Sequence, residues 1–180
     1  MTTPTESGSV QELLDRAAIA ELIYTVARAM DVRDWDLLTT CYAPEAEGDY
    51  INADVHGREA IIAGAKGFLE PLGATQHLVG NIQITVEADI ATTHATFIAQ
   101  HERAEATGSG QYIIGGNYDD HLRRTDEGWK ITRRQIRGIW SNGDPSVLTM
   151  PGRAELGKLS FSDNADKALT VAVPLNPLVG

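Results

Sequence analysis

Apolar residues in the first third of the chain recur at intervals of three and four positions, the spacing of one buried helical face. This pattern runs from Val10 to Asp31 without a Pro or Gly, and its apolar positions are Ile19, Ile23, Val26, Ala27 and Met30. Ser9 followed by Glu12 matches a capping box, so the first helix is predicted to begin there. Two further helices are predicted, a short one over 34–42 and a third over 58–69.

After Gly73 the pattern changes to strand-length runs rich in Ile, Val, Thr and aromatic residues. Turn signals separate the runs, which cover residues 77–86, 91–103, 111–124 and 129–140. A further short strand is predicted near 47–55. Helices followed by consecutive hairpins are typical of an α+β domain, in which an antiparallel sheet carries the helices on one face.

Length and charge narrow the class of protein. A chain of 180 residues is long enough for one domain with a substantial core. Its 15 Lys and Arg against 25 Asp and Glu give a net charge of −10, which argues against nucleic acid and anionic membranes as partners. The single cysteine, Cys41, excludes an internal disulfide and a Cys-rich zinc site.

The ends of the chain differ in composition from its middle. We expect a disordered N-terminus over residues 1–8, one domain over 9–145 and an extended C-terminal tail over 146–180. The first residues lack the basic and apolar regions of a signal peptide, and no apolar run approaches the roughly 20 residues of a membrane helix. A cytoplasmic location is therefore expected.

Asp31 is the first residue that could carry chemistry. It continues the row Ile23, Ala27, Asp31 at intervals of four, which places a carboxylate at the end of the core-facing helical stripe. An unpaired charge there is costly, so a partner or a wet cavity is expected. The alternative is that the helix ends at Met30 and that Asp31 is solvated.

His77 opens the first long strand, where simple alternation places it on the face of Val79 and opposite Leu78 and Ile82. Histidine titrates near neutrality and suits general acid–base catalysis, although a lone histidine at the start of a strand is more often structural. No two of the histidines have the spacing of metal ligands, so no metal site is predicted. The other histidines are His56, His94, His101 and His121.

Arg134 is the third candidate. Alternation groups it with Thr132, Ile136 and Trp140 on one face of the last strand, where a guanidinium would meet an acidic group or a ligand. The opposite face then holds Trp129, Ile131, Arg133, Gln135 and Arg137. The alternative is that all three arginines lie on a solvated face, and we favour that interpretation for Arg133 and Arg137.

The order of these parts resembles the SnoaL-like branch of the NTF2-like superfamily over about residues 10–142. The motifs that carry the resemblance are DRAAIAELIYTVARAMDVRDWDLL (15–38), CYAPEA (41–46), HGREAI (56–61), QHLVGN (76–81), ADIATTHATF (88–97) and GGNYDDHLRRTDEGWKITRR (115–134). The resemblance implies an NTF2-like fold, in which a strongly curved antiparallel or mixed sheet wraps round three N-terminal helices as a cone with a deep apolar pocket. Activities on this fold vary widely.

Within this branch the sequence is most similar to the hexachlorocyclohexane dehydrochlorinase, scytalone dehydratase and bile-acid dehydratase type. The resemblance assigns a catalytic dyad to Asp31 and His77 and a pocket arginine to Arg134. Val26 occupies the position of the catalytic lysine or tyrosine of these enzymes, so a missing proton donor would come from Tyr24, Tyr50 or Tyr118. With strand parity, the resemblance further implies a pocket lining of Ala27, Thr75, Phe97, Ala99, Ile114, Tyr118 and Ile136.

The resulting hypothesis is a cofactor-independent lyase that acts on a hydrophobic, cyclic or aromatic small molecule by His77-initiated proton abstraction. An isomerase or polyketide-type cyclase with the same pocket is the alternative, followed by a non-catalytic binding module and a dioxygenase small subunit. The resemblance also implies a homo-oligomer, a trimer or else a dimer. No nucleic acid or membrane partner is expected.

Overall fold

The computed structural model describes residues 10–50, 53–106 and 108–148. It contains the three predicted helices, α1 (Val10–Val32), α2 (Trp35–Cys41) and α3 (Arg58–Leu69). The predicted bounds of α3 are confirmed, and those of α1 and α2 are confirmed to within one residue at the ends that the structure describes. Ser9, the predicted N-cap of α1, lies outside the described residues. No described helix is long and apolar enough to cross a membrane.

Six strands form one sheet. They are β1 (Tyr42–Tyr50), β2 (Ala53–His56), β3 (Thr75–Glu87), β4 (Ile90–Glu102), β5 (Gln111–Thr125) and β6 (Gly128–Gly143), in the order β2-β1-β6-β5-β4-β3. All neighbouring strands are antiparallel except β1 and β6, which are parallel. The α+β class is thus confirmed, with a mixed sheet. The prediction of one strand near 47–55 is wrong, because β1 and β2 pair antiparallel with each other there.

The helices pack on the inner face of the sheet through a first apolar cluster. The buried face of α1 contributes Ile19, Ile23 and Val26, as its periodicity predicts. From the sheet, Leu122, Trp129 and Ile131 complete the contact. Each fully buried aliphatic side chain of this kind stabilises the fold by about 1.5–3 kcal/mol. This cluster is the main attachment of α1 to β5 and β6.

A second apolar cluster lies beside the first one. Its buried members are Leu69, Leu72, Phe97, Ala99, Tyr112, Ile114, Tyr118, Val147 and Leu148. The last two belong to a short 3-10 helix, Pro145–Leu148, so the packed domain continues beyond the predicted boundary at residue 145. The predicted N-terminal segment 1–8 and the remainder of the predicted tail, 149–180, lie outside the described residues.

Irregularities in β3 and β6 change which side chains face inward. In β3 the register shifts between Gly80 and Gln83, and Asn81 has a φ of 51°. Ile82 consequently shares the inner face with Val79 and packs on the first cluster, so its predicted placement on the opposite face is wrong. A bulge inserts one extra residue and thereby reverses the alternation that follows it.

Two shifts in β6 have the same effect. The first, opposite His121 and Leu122, brings Arg134 to the buried side together with Trp129 and Ile131. The second, opposite Gly115 and Gly116, leaves Trp140 exposed on the outer face. The predicted grouping of Arg134 with Trp140 is therefore wrong, although Arg133 is exposed as expected.

An ion pair between Asp15 and Arg124 connects the start of α1 to the sheet. Asp15 accepts hydrogen bonds from both terminal nitrogens of Arg124, at 2.6 and 2.7 Å, and from the indole Nε1 of Trp129 at 3.2 Å. The guanidinium of Arg124 lies over the Trp129 ring, 4.5 Å from its centroid. The hydrogen bonds from Arg124 hold the pKa of Asp15 well below its ordinary range.

Candidate active site

Two elements meet at one edge of the sheet and bring the candidate acid and imidazole together. Asp31 lies in the last turn of α1, and His77 is the third residue of β3. Because β3 is an edge strand, backbone groups along its outer edge are not used by another strand. The backbone N–H of His77 donates instead to Oδ2 of Asp31 at 2.8 Å.

The side chains of this pair are in direct contact. Nδ1 of His77 lies 2.6 Å from Oδ1 of Asp31, a short distance typical of a charge-assisted hydrogen bond. The Thr75 hydroxyl lies 3.1 Å from the same carboxylate oxygen. The His77 side chain is 7% exposed and that of Asp31 20%, so the pair is largely shielded from water. The structure brings the two predicted residues together, while their catalytic role stays a prediction.

The hydrogen bonds determine which atom of the Asp31–His77 pair carries the shared hydrogen. Partial burial raises the pKa of Asp31, but hydrogen bonds from the ring and backbone of His77 outweigh this and lower it below its ordinary value. An ionised carboxylate can only accept, so Nδ1 of His77 must carry the hydrogen. Among the described residues, every hydrogen bond of His77 uses its backbone N–H or Nδ1. In this tautomer Nε2 has a free lone pair and can act as a base.

His101 is a second buried histidine, one of those that competed with His77 in the sequence analysis without being selected. It is 3% exposed, and its ring packs edge-on against His77 with centroids 5.7 Å apart. Burial, reinforced by the neighbouring His77, lowers the pKa of His101 to about 4, so this ring is neutral at pH 7. Its Nδ1 is buried without a hydrogen-bond partner among the described residues. That nitrogen is an unpaired polar atom beside the dyad.

Arg134 is buried and meets an acidic group, which is one of the two partners predicted for it. Its side chain is 2% exposed, and its Nε and Nη2 each donate to a carboxylate oxygen of Asp120 at 2.7 Å. The guanidinium also lies 4.5 Å from the ring centroid of Tyr118. Despite the cost of burial, Asp120 raises the pKa of Arg134 well above its ordinary value. Its charge is thus matched by Asp120 through Nε and Nη2, and its predicted role towards a leaving anion stays a prediction.

The three candidate tyrosine donors occupy different surroundings. Tyr24 is 47% exposed on α1, and its predicted role in binding stays a prediction. Tyr50 packs on the first cluster beside Tyr42, and Tyr118 is buried in the second cluster. Burial raises the pKa of both Tyr50 and Tyr118, which makes each a weaker acid while its hydroxyl can still donate a hydrogen bond.

The predicted pocket lining separates into two groups. Val26 is fully buried in the first cluster and cannot supply a proton, and Ala27 is buried on the same helix. Thr75 is tied to Asp31 by its hydroxyl. The remaining predicted residues pack in or against the second cluster and are Phe97, Ala99, Ile114, Tyr118 and Ile136. This second group is a buried apolar cluster in which the rings of Phe97 and Tyr118 are stacked, with their centroids 4.2 Å apart.

Two buried residues were missed because their signals depend on pairing between strands. Asp120 lies two positions after Tyr118, and His101 two positions after Ala99, so each shares the inner face of its strand. Parity alone could have placed both of them inward. Within the described ranges 10–50, 53–106 and 108–148, no group of three or more His, Cys, Asp or Glu side chains could hold a metal ion.

Comparisons with known proteins find relatives of this chain in sequence and in fold. A protein of Mycobacterium tuberculosis strain H37Rv is 31% identical over 129 residues, which are 70% of this chain and 86% of that protein. A scytalone dehydratase-like protein of Claviceps purpurea is 27% identical over 143 residues, 72% of this chain and 90% of that protein.

Among solved structures, hexachlorocyclohexane dehydrochlorinase LinA-type3 from Novosphingobium barchaimii superposes with a TM-score of 0.68. It is 19% identical to this chain and covers 75% of it, and the match spans 93% of the dehydrochlorinase. At this identity the likeness shows the NTF2-like fold alone. The family model of the SnoaL-like domain matches residues 11–135, and the chain therefore belongs to the SnoaL-like family.

Proposed function

We propose that this protein is a cofactor-independent lyase of the elimination type, which acts on a hydrophobic, cyclic or aromatic small molecule. The observation that carries the proposal is the Asp31–His77 pair, with its 2.6 Å contact and its largely buried side chains. A carboxylate that fixes the tautomer of an imidazole and stabilises the imidazolium is a recurrent device for general-base catalysis.

The proposed step is a proton transfer coupled to the loss of a leaving group. Nε2 of His77 takes a proton from a substrate carbon, and the electron pair of that C–H bond forms a C=C bond. The bond from the adjacent carbon to the leaving group breaks, and its electron pair departs with that group. Asp31 stabilises the imidazolium that forms, and this attraction is stronger in a shielded site than in water.

Two features support the substrate class. The second apolar cluster offers stacked aromatic rings suited to a flat hydrophobic ring system. The unpartnered Nδ1 of His101 is a buried polar atom, and a substrate hydroxyl would satisfy it. A hydroxylated ring that loses water fits both features. The similarity to a scytalone dehydratase-like protein is consistent with this class of reaction.

The test compares turnover by purified variants on a panel of hydroxylated and halogenated cyclic compounds. His77→Gln and Asp31→Asn should each lower turnover by roughly 10²–10⁴-fold while the fold is retained. His121→Gln is the matched control, since that histidine is exposed on β5 and should leave turnover unchanged. Near-normal turnover by a folded His77→Gln variant would contradict the proposal.

A second candidate is an isomerase or cyclase that uses the same base. The observation in its favour is Val26, which supplies no proton donor for a leaving group at the position where the related enzymes carry one. An isomerase needs no such donor, because His77 can return the abstracted proton to another carbon. Product mass separates the two reactions, since isomerisation conserves the mass of the substrate and dehydration lowers it by one water.

A further inference from the structure

Arg33 occupies a backbone position that ordinarily favours glycine. It follows the last residue of α1 and has a φ of +60°, in the left-handed region. The backbone N–H of Asp34 bonds the carbonyl of Ala29 at 2.9 Å, and that of Arg33 lies 3.4 Å from the carbonyl of Met30. These two bonds form a Schellman motif, in which Arg33 is the left-handed residue. An arginine in this place indicates that its side chain has a use that glycine cannot serve.

The side chain of Arg33 reaches the strand that carries the dyad. Its Nη1 donates to the Thr75 hydroxyl at 2.7 Å and to the carbonyl of Met30 at 2.7 Å, and it lies 3.2 Å from the carbonyl of Asp31. Its Nη2 donates to the carbonyl of Gly73 at 3.2 Å. The guanidinium thereby connects the end of α1 to the residues that precede His77.

The available donors and acceptors determine which group donates in each hydrogen bond between Arg33, Thr75 and Asp31. A guanidinium has no acceptor, so the Thr75 oxygen must accept from Arg33. The single hydroxyl hydrogen of Thr75 is then free for Asp31 Oδ1, 3.1 Å away. That oxygen also receives the Nδ1 hydrogen of His77. The bonds run in one direction, from Arg33 through Thr75 to Asp31.

We propose that Arg33 is a positioning residue for the Asp31–His77 pair and that it acts through the Thr75 hydroxyl. With the guanidinium in place, that hydroxyl cannot turn its hydrogen towards Arg33, so it holds the carboxylate in the rotamer that meets Nδ1. Without Arg33 the hydroxyl can rotate, and the carboxylate loses an ordered donor. The catalytic meaning of this arrangement rests on the proposed function, whereas the ordering itself does not.

The experiment measures how fast the Nδ1 proton of His77 exchanges with water. Protein with ¹⁵N-labelled histidine is studied by NMR, and the His77 signal is assigned by its loss in His77→Gln. In Arg33→Gly the exchange should be roughly tenfold faster, the factor expected for loss of one net hydrogen bond. Arg33→Lys should restore most of the protection. Arg28→Gln, at an exposed arginine of α1, is the matched control and should change nothing.

Thermal unfolding separates positioning from structural support. Glycine suits a positive φ, so Arg33→Gly should unfold at the wild-type temperature or above it while its exchange is faster. Wild-type exchange in a folded Arg33→Gly would overturn the proposal. If that variant does not fold, Thr75→Val is compared with Thr75→Ser, which keeps the hydroxyl, and equal exchange in these two would overturn it as well.

A double variant tests whether Arg33 acts through Thr75. Arg33→Gly combined with Thr75→Val should exchange no faster than either single variant, because both remove the same donor to Asp31. Additive effects would contradict the proposed route. These measurements need no substrate, so a failure to find any turnover would count against the proposed function and leave the exchange result standing.

Discussion

Substitution of Asp120 tests whether Arg134 is neutralised inside the protein. In Asp120→Asn the guanidinium of Arg134, whose side chain is 2% exposed, loses the carboxylate that both Nε and Nη2 contact at 2.7 Å. Arginine cannot shed its proton to escape burial, and Asp120 holds the pKa of this group higher still. The variant therefore keeps an unpaired buried charge.

Removal of one partner of a buried ion pair costs about 3–5 kcal/mol, a large part of the total stability of a domain. For a chain of this size the melting temperature should fall by roughly 6–20 °C. Arg134→Met should cost less than Asp120→Asn, because the remaining carboxylate can bind a proton and become neutral. The double variant Asp120→Leu with Arg134→Met should recover most of the loss, since two apolar groups need no partner.

The assay is urea unfolding followed by circular dichroism on the wild type, on Asp120→Asn, and on the closed cycle of Asp120→Leu, Arg134→Met and their double variant. The coupling energy from this cycle isolates the interaction of the pair from other effects of each substitution. A cost below about 1 kcal/mol for Asp120→Asn, or a double variant no more stable than that single one, would refute the reasoning. Either result would mean that water or another group reaches the guanidinium.

Three further predictions concern stability and assembly. Asp15→Asn should have a lower melting temperature than the wild type at pH 7. Because Arg124 lowers the pKa of Asp15, this difference in melting temperature should shrink as the pH falls below about 4. Gly116→Ala should lower the free energy of unfolding in urea by about 1–3 kcal/mol, because its Cβ would meet the backbone carbonyl of Arg137. Gly115→Ala should lower it by less than about 1 kcal/mol and shift the Trp fluorescence, because its Cβ only displaces the exposed indole of Trp140. Copies of the chain should associate through an apolar row on the outer face of the sheet, formed by Leu78, Ile98 and Trp140. Trp140→Glu should therefore lower the mass measured by light scattering, and an unchanged mass would contradict this prediction.

Periodicity predicted most of the fold because helices and long strands repeat one simple rule over many residues. The row Ile19, Ile23, Ala27 and Asp31 follows the helical repeat to the end of α1, and this continuity placed a carboxylate where it meets β3. The same reasoning failed wherever a strand bulges. The pair Gly80-Asn81 is a local signal for the bulge in β3, since asparagine tolerates a positive φ, but simple alternation ignores it. The shift before Arg134 depends on pairing with the neighbouring strand.

In the candidate site, too, the sequence identifies some residues and not others. Asp31 and His77 could be found because each begins or ends a regular element and because the resemblance assigns them a role. Asp120 and His101 are set by contacts across strands, and their importance follows from burial, which a single sequence does not display. The sequence predicts an acidic group or a ligand as the partner of Arg134, and only the pairing of β5 with β6 identifies Asp120 as that acidic group.

The existence of two apolar clusters bears on how this protein can diversify. The first cluster attaches α1 to the sheet, and the second contributes the aromatic and aliphatic surface that we assign to substrate. On the proposed function, mutations at Phe97, Ile114 or Ile136 should change ligand preference while the buried residues of the first cluster stay unchanged. Met30, Trp35 and Val79 pack against both clusters, so such changes also reach the end of α1 that carries Asp31.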